Sequence, residues 1–228
     1  MPLLRYKDKM IAEQLISFEV PPLKLSDNGL RAMAWMEELR VHHLPIVNGR
    51  KYLGIVSEDD IFEMNKPELP FSEHKISLIA PQVRTFQHVF DVLKVMTELK
   101  LSVIPVINEQ DEYYGAITRN ALVDNIAQMS SVKEPGAVVM LSMKNYDYNL
   151  TQLAGIVESE GGKILNLYVN ATDAENIDVI LKINRTDLSS IKNALFRYKY
   201  HIKALYHESE FDEDLKRSYE MLINYMNM

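Results

Sequence analysis

Three residues in the stretch GIVSEDD have types and a spacing that suit ligand binding: Gly54, Ser57 and Asp60. A Ser hydroxyl with free backbone amides at a helix start favours an anion such as phosphate. A carboxylate can accept hydrogen bonds from two hydroxyl groups at once. The same residues also suit an ordinary helix cap, in which the hydroxyl and the acids satisfy backbone amides. Both interpretations stay open from these residues alone.

The stretch that contains these residues occurs twice in the chain. Residues 43–60 read HLPIVNGRKYLGIVSEDD, and residues 103–120 read VIPVINEQDEYYGAITRN. The offset between the copies is 60 residues before the turn and 61 after it, and it pairs Pro45 with Pro105, Asn48 with Asn108, and Gly54 with Gly115. An internal repeat therefore organises the first half of the chain.

Each copy of the repeat predicts the same elements, which must position the candidate residues. A helical pattern is followed by two short apolar runs joined by a polar turn, and a second helix begins at Ser or Thr. For the first copy, the predicted helices and strands lie at residues 26–40, 43–47, 52–56 and 57–64. For the second copy, they lie at 87–99, 103–107, 114–117 and 118–129.

This order of elements, with a Pro in the first strand and a Gly in the second, resembles the CBS domain, and the tandem resembles a CBS domain pair. The resemblance covers residues 1–131, with the first copy at about 9–66 and the second at about 74–131. It implies two pseudo-symmetric units of sheet and helix that pack through their sheets. It also implies two clefts of the kind that commonly bind adenosine-containing ligands, in a sensor and not a catalyst.

The ligand motif of that family, G-h-x-S/T-x-x-D, is complete only in the first copy. The resemblance implies that Asp60 accepts hydrogen bonds from a ribose and that Ser57 lies beside a phosphate, after the strand that Gly54 opens. In the second copy Thr118 is present, but Ala121 stands at the ribose position and has no side-chain acceptor. We therefore expect at most one competent nucleotide site, at the first motif.

Other residues are candidates for contact with the phosphate. His43 lies where phosphate-binding CBS pairs often carry His or Arg, although the pair His42 and His43 also suits a solvent-facing position. The equivalent Ser102 and Val103 offer less to an anion. Three arginines are further candidates: Arg50, Arg84 and Arg119.

The second half of the chain changes character after a linker at residues 132–136. It predicts a strand, a helix, two strands, a helix and a strand at residues 137–143, 149–159, 163–170, 177–184, 187–198 and 200–206. This order resembles an ACT domain at residues 137–207, a ferredoxin-like βαββαβ module that often binds amino acids. The predicted fold class is thus α/β (α+β), and the combination of domains resembles bacterial acetoin-utilisation accessory proteins.

The loop after the first of these strands reads NYDYNL and carries Asp147 and Asn149. ACT ligand loops typically carry Asp with a Gly nearby, so the resemblance makes Asp147 a candidate for binding an amino acid, with Asn149 where Gly is expected. A turn and a helix cap built from the same two residues are the alternative, and the residue types favour it.

Composition limits the classes of function. The chain has 228 residues, no Cys, a formal net charge of -7 and no basic cluster, so we expect no disulfide and no nucleic-acid partner. Its six His lack metal-ligand spacing. No run of 18 apolar residues occurs, so we expect a cytoplasmic protein without a membrane segment. Residues 208–228 predict an amphipathic helix that packs on its own domain or on another subunit.

These features predict a non-enzymatic regulatory protein that senses AMP, ADP or ATP at the first motif and passes the signal through the ACT-like domain. No cofactor is required, because the nucleotide acts as a regulatory ligand. The resemblance also implies a homodimer, and the regulated protein partner is unknown. The alternative is a ligand-free scaffold with degenerate clefts, which Ala121 and Asn149 favour.

Overall fold

The computed structural model describes residues 10–74 and 78–207, which divide into two compact units with the boundary between Ile126 and Ala127. Among these residues, no helix has the length and apolar character needed to cross a membrane. The amphipathic helix predicted for residues 208–228 lies outside the described residues.

The first unit contains two copies of one arrangement, each with a three-stranded sheet. The first copy comprises β1 (Leu23–Lys24), α1 (Gly29–Leu39), β2 (His43–Asn48), β3 (Lys51–Ser57) and α2 (Glu58–Phe62). The second comprises β4 (Val83–Arg84), α3 (Val89–Glu98), β5 (Val103–Ile107), β6 (Tyr113–Thr118) and α4 (Arg119–Met129), and the boundary between the units falls within α4. The predicted order of helices and strands is confirmed. The short strands β1 and β4 were not predicted, because two residues carry no periodic pattern.

The two copies also share details of backbone conformation. Arg40 and Lys100 follow α1 and α3 in the left-handed conformation, with φ of 53° and 54°. The hairpins β2–β3 and β5–β6 carry their irregularities at equivalent places, after Ile46 and after Val106. The repeat in the sequence is therefore a repeat in backbone conformation.

The sheet of each copy is extended by the segment that precedes the first strand of the other copy. Ser17, which precedes β1 in the first copy, pairs with Ala116 of β6, and Ile79, which precedes β4 in the second copy, pairs with Ile55 of β3. The buried core of the first copy also includes side chains of the second copy's sheet. The two copies therefore form one compact unit.

The second unit is a four-stranded antiparallel sheet with two helices. Its elements are β7 (Ala137–Lys144), α5 (Leu150–Ser159), β8 (Ile164–Ala171), β9 (Asn176–Ile183), α6 (Ser189–Arg197) and β10 (His201–His207). The strand order β10-β7-β9-β8 places the first and third strands at the centre. Alternate residues of β7 and β9 form one core with buried side chains of both helices. The predicted βαββαβ order is confirmed, and it is that of the ferredoxin-like arrangement.

Candidate functional site

The first motif forms a hydrogen-bonded helix cap. Ser57 precedes α2, and its Oγ accepts a hydrogen bond from Asp60 N at 3.1 Å. Asp60 Oδ2 accepts from Ser57 N at 2.7 Å and from Ser57 Oγ at 2.6 Å. This is the capping box that the local sequence suits. Asp60 is exposed, and its Oδ1 makes no hydrogen bond with residues 10–74 or 78–207, so one carboxylate oxygen is available to an external donor.

Gly54 is buried in β3, where the segment before the second copy packs against it. Ile55 N donates to Ile79 O at 2.9 Å, and the Ile79 side chain is 61% exposed. A Cβ at position 54 would meet this segment, because it would lie 2.7 Å from Ile79 O. The role that the structure gives to Gly54 is thus close backbone packing beside the motif.

The two copies meet at hydrogen bonds around the buried Ser102. His42 N donates to Ser102 Oγ at 2.9 Å, and His43 Nδ1 lies 3.0 Å from the same oxygen. Ser102 N also donates to His43 Nδ1, at 3.3 Å. Because a backbone N–H can only donate, Nδ1 is an acceptor, which assigns the ring proton to Nε2. Sequence reasoning weighed Ser102 only as a contact for an anion and missed its hydrogen bonds with His42 and His43, although the 60-residue offset pairs it with His42.

His42 and His43 have different environments. His42 is exposed, and its Nδ1 donates to Glu58 Oε2 at 2.8 Å. His43 is half-buried, lies opposite Ser57 in the register of β2 and β3, and contacts the second copy through Ser102. The solvent-facing alternative therefore holds for His42 and is wrong for His43.

Burial lowers the pKa of His43 below its ordinary value of 6.5. The neighbouring His42 and Arg119 lower this pKa further, while Asp60 and Glu58 act in the opposite direction. The pKa of His43 therefore responds both to the acids of the first motif and to the Arg119 guanidinium of the second. Protonation of Nδ1 would also break the hydrogen bond that this nitrogen accepts from Ser102 N. That loss favours the neutral ring as well.

We expect the lowered pKa of His43 to make the free energy of unfolding fall as the pH decreases through 6.5, the ordinary pKa of a His side chain. The unfolded chain binds the His43 proton more tightly than the folded chain, so acidification favours unfolding until the lowered pKa is passed. His43→Gln keeps a hydrogen-bond acceptor for Ser102 and removes the titration. Urea unfolding of both proteins between about pH 5 and about pH 8 tests this expectation. Equal pH slopes for the two proteins would contradict it.

The second motif also caps its helix. Thr118 Oγ1 accepts a hydrogen bond from Ala121 N at 3.1 Å. Thr118 lies opposite Val103 in the register of β5 and β6, next to Ser102. The structure thus brings Ser57, Asp60 and His43 together, and it places Thr118 in the second copy, opposite the residue that follows Ser102.

A cavity of about 180 Å³ lies beside the second motif. Its polar lining includes Arg40, His42, Ser102, Thr118 and Arg119. Of the residues predicted to bind a ligand in this unit, Thr118 lines this cavity, whereas Gly54, Ser57, Asp60 and His43 do not.

The three arginines that the sequence nominated have different partners. Arg84 Nη2 pairs with Asp111 Oδ1 at 2.7 Å, and Arg50 Nη1 lies 3.6 Å from Glu112 Oε2. Arg119 lines the cavity, and its Nη2 donates to backbone carbonyls at the end of α3. Sequence reasoning missed Arg40, although the offset of 60 pairs it with another cation, Lys100.

In the second unit, Asn149 caps α5 by accepting a hydrogen bond from Gln152 N at 3.0 Å. Asp147 lines a cavity of about 390 Å³ together with Gln152, Tyr200 and His201. Tyr200 Oη donates to Gln152 Oε1 at 2.7 Å, and burial followed by the charge of Asp147 raises the pKa of Tyr200. Asn149 therefore acts as a cap, and Asp147 presents a carboxylate to a cavity.

Residues 10–74 and 78–207 contain no group of three or more His, Cys, Asp or Glu side chains placed to hold a metal ion.

Comparison with known proteins bears on the repeat. The CBS domain family model matches residues 30–65 and 80–128. A CBS domain-containing protein from Dictyostelium discoideum is 25% identical over 131 residues, which cover 51% of this chain and 90% of the relative. A putative acetoin utilization protein from Vibrio cholerae is 24% identical, with 56% of this chain and 97% of that chain covered and a TM-score of 0.47. The structure of CBSX2 in complex with AMP is 18% identical, with 52% and 96% covered and a TM-score of 0.45. Because the CBS domain model matches both copies of the repeat, the comparison supports the assignment of the first unit as a CBS domain pair.

Proposed function

We propose that this protein is a non-enzymatic regulator that binds an adenosine-containing nucleotide, of the AMP, ADP or ATP class, at the first motif of its CBS pair. One observation carries the proposal. Asp60 is exposed and held in place by Ser57 through Oδ2, while its Oδ1 makes no hydrogen bond within the described residues. A carboxylate held in this way can accept hydrogen bonds from both hydroxyls of a ribose. The assignment of the ribose rests on the resemblance to CBS domains.

The regulatory step follows from the position of the motif. His43 lies opposite Ser57 and bonds to Ser102 of the second copy, so a ligand at Asp60 lies next to the contacts that join the copies. A nucleotide that binds one arrangement of the copies more tightly shifts the population towards that arrangement. The second unit, an ACT-like domain at residues 137–207, then passes the change to a protein partner. The protein acts in the cytoplasm as a homodimer.

The second unit has a separate proposed ligand. The Asp147 carboxylate at the cavity of about 390 Å³ suits the ammonium group of an amino acid. Asn149 supports the fold as the cap of α5, and it takes no part in this contact.

The test of the nucleotide proposal is calorimetric titration of the full chain with AMP and with 2′-deoxy-AMP, which has no vicinal diol. We expect AMP to bind about tenfold more tightly, because a hydrogen bond to a charged group contributes about 1.5–3 kcal/mol. Asp60→Ala should weaken AMP binding and remove the difference between the two ligands. Asp59→Ala removes a neighbouring exposed carboxylate and should change neither.

Because Asp60 also belongs to the capping box, Ser57→Ala serves as the control for the fold. This variant removes both hydrogen bonds of the Ser57 hydroxyl, with Asp60 N and with Asp60 Oδ2. It keeps the carboxylate and its bond from Ser57 N, with an expected loss of about 1 kcal/mol of stability. If Ser57→Ala abolished the preference for AMP as fully as Asp60→Ala, loss of the cap would explain both results. The ribose assignment would then be wrong.

A ligand-free scaffold is the second candidate. Two observations favour it: the capping box satisfies Asp60 Oδ2 without a ligand, and Ala121 has no side-chain acceptor. Thermal melting separates the candidates, since a ligand at 100 times its dissociation constant stabilises the folded state by about 2.7 kcal/mol. No shift with AMP, ADP or ATP would favour the scaffold.

A further inference from the structure

We infer that the outer face of the sheet in the second unit is a docking surface for the C-terminal segment of the same chain, residues 208–228. The outer face is the one that points away from α5 and α6, which share a core with the other face of β7 and β9. The segment lies outside the described residues, and its sequence predicts an amphipathic helix. This contact lies within the second unit and does not depend on nucleotide binding at the first motif.

The outer face carries an apolar row that crosses all four strands. In the register of the sheet, Tyr168 pairs with Ile180, Ile180 with Met140, and Met140 with Ala204. Residues that pair directly across antiparallel strands point to the same side of a sheet. Ile180 at the centre is 2% exposed, whereas Tyr168 is 52% exposed and Tyr206, beside the row, is 57% exposed. The row therefore offers apolar surface to an element that packs on it.

A cation lies at the end of the outer face where the chain leaves the sheet. Val138 pairs with both Lys182 and Tyr206, and β10 ends one residue after Tyr206. Within the described residues, Lys182 Nζ donates to Val132 O at 3.2 Å and has no carboxylate partner. By contrast, two other lysines of this unit already pair with acids, Lys203 with Asp178 and Lys144 with Glu175.

The charge of the segment complements this cation. Residues 208–214 read ESEFDED and follow β10 directly, so five acids begin close to Lys182. An ammonium group and a carboxylate that approach each other near a protein surface attract each other. The acidic start of the segment therefore favours the end of the face where Lys182 lies.

The segment also has the pattern and the length to cover the apolar row. Its apolar residues recur at spacings of three and four, which predicts one stripe along a helix: Phe211, Leu215, Tyr219, Leu222, Ile223 and Met226. A helix over residues 211–226 would be about 24 Å long, close to the roughly 26 Å of an eight-residue strand. Because the segment is attached to β10, it reaches the face at a high effective concentration, whereas a second copy must first associate. These features favour the chain's own segment as the occupant.

The experiment uses the full chain with one introduced thiol. Because the chain has no Cys, Ala204→Cys places a single thiol in the apolar row, and its rate of alkylation by iodoacetamide reports how well the row is covered. In that background, Leu222→Asp puts a charge into the apolar stripe and should speed alkylation about tenfold. Asn224→Asp adds the same charge on the opposite side of the helical pattern and should leave the rate unchanged. Lys182→Gln should speed alkylation less and make its rate insensitive to salt.

Two further measurements separate docking from unfolding and from association. Amide hydrogen exchange at β7 and β9 should stay slow with Leu222→Asp, because release of the segment leaves the sheet folded. Fast exchange there, or equal alkylation rates with Leu222→Asp and Asn224→Asp, would overturn the inference. A bismaleimide that joins the thiols of Tyr168→Cys and Leu222→Cys should give a product with the mass of one chain. A product of two chains would instead assign the outer face to the segment of a second copy, which contradicts docking within one chain.

Discussion

Gly54→Ala is expected to destabilise the first unit by about 3 kcal/mol, since overpacking and an unfavourable backbone conformation add together. Gly54 has φ of 154°, which an L side chain rarely adopts. The new Cβ would lie 2.5 Å from Leu78 Cβ and 2.7 Å from Ile79 O. The carbonyl cannot move away freely, because Ile55 N donates to it at 2.9 Å. Urea unfolding followed by circular dichroism measures the loss.

The repeat provides the matched control for this change. Gly115→Ala places a Cβ 2.5 Å from Ile16 Cγ2, which belongs to a side chain, and the backbone there is not in the left-handed region. We expect a smaller loss of about 1–2 kcal/mol, because a side chain can adjust where a bonded carbonyl cannot. Equal losses at the two glycines would show that crowding alone decides the cost and that the carbonyl and φ do not matter.

Leu181→Ala is expected to destabilise the second unit by about 3–5 kcal/mol. Leu181 is fully buried in the central strand β9 and belongs to the core that the sheet forms with α5 and α6. Truncation removes apolar contacts and leaves a cavity, because neighbours on a paired central strand collapse only partly into the space. Amide hydrogen exchange at β7 and β9 reports this loss separately from the first unit.

The control for this second prediction is Leu150→Ala, the same chemical change in the same unit. Leu150 is 50% exposed at the start of α5, so we expect a change within about 0.5 kcal/mol. If both variants lost amide protection equally, the burial of Leu181 in the core would not explain its effect on stability.

The order of elements followed from the sequence because it depends on local patterns. The repeat with its 60-residue offset placed the hairpins β2–β3 and β5–β6, and alternation at residues 177–183 placed the buried face of β9. The Ser57 cap was also visible, since a capping box involves residues three apart. The matching of Gly54 with Gly115 needed only the alignment of the two copies. Each of these features is set within a few residues or by the repeat.

Contacts between distant segments were decided by the tertiary structure. Nothing in the sequence indicated that Ser17 pairs with Ala116 or that Ser102 bonds to His43, because pairing between distant segments leaves no periodic pattern. For the same reason, the sequence could not indicate the cavity of about 180 Å³ that Arg40, Ser102 and Thr118 line together. Residue types and spacing determined which groups could bind a ligand. Which of them share a cavity depended on how the two copies pack, and that is set by side chains far apart in the chain.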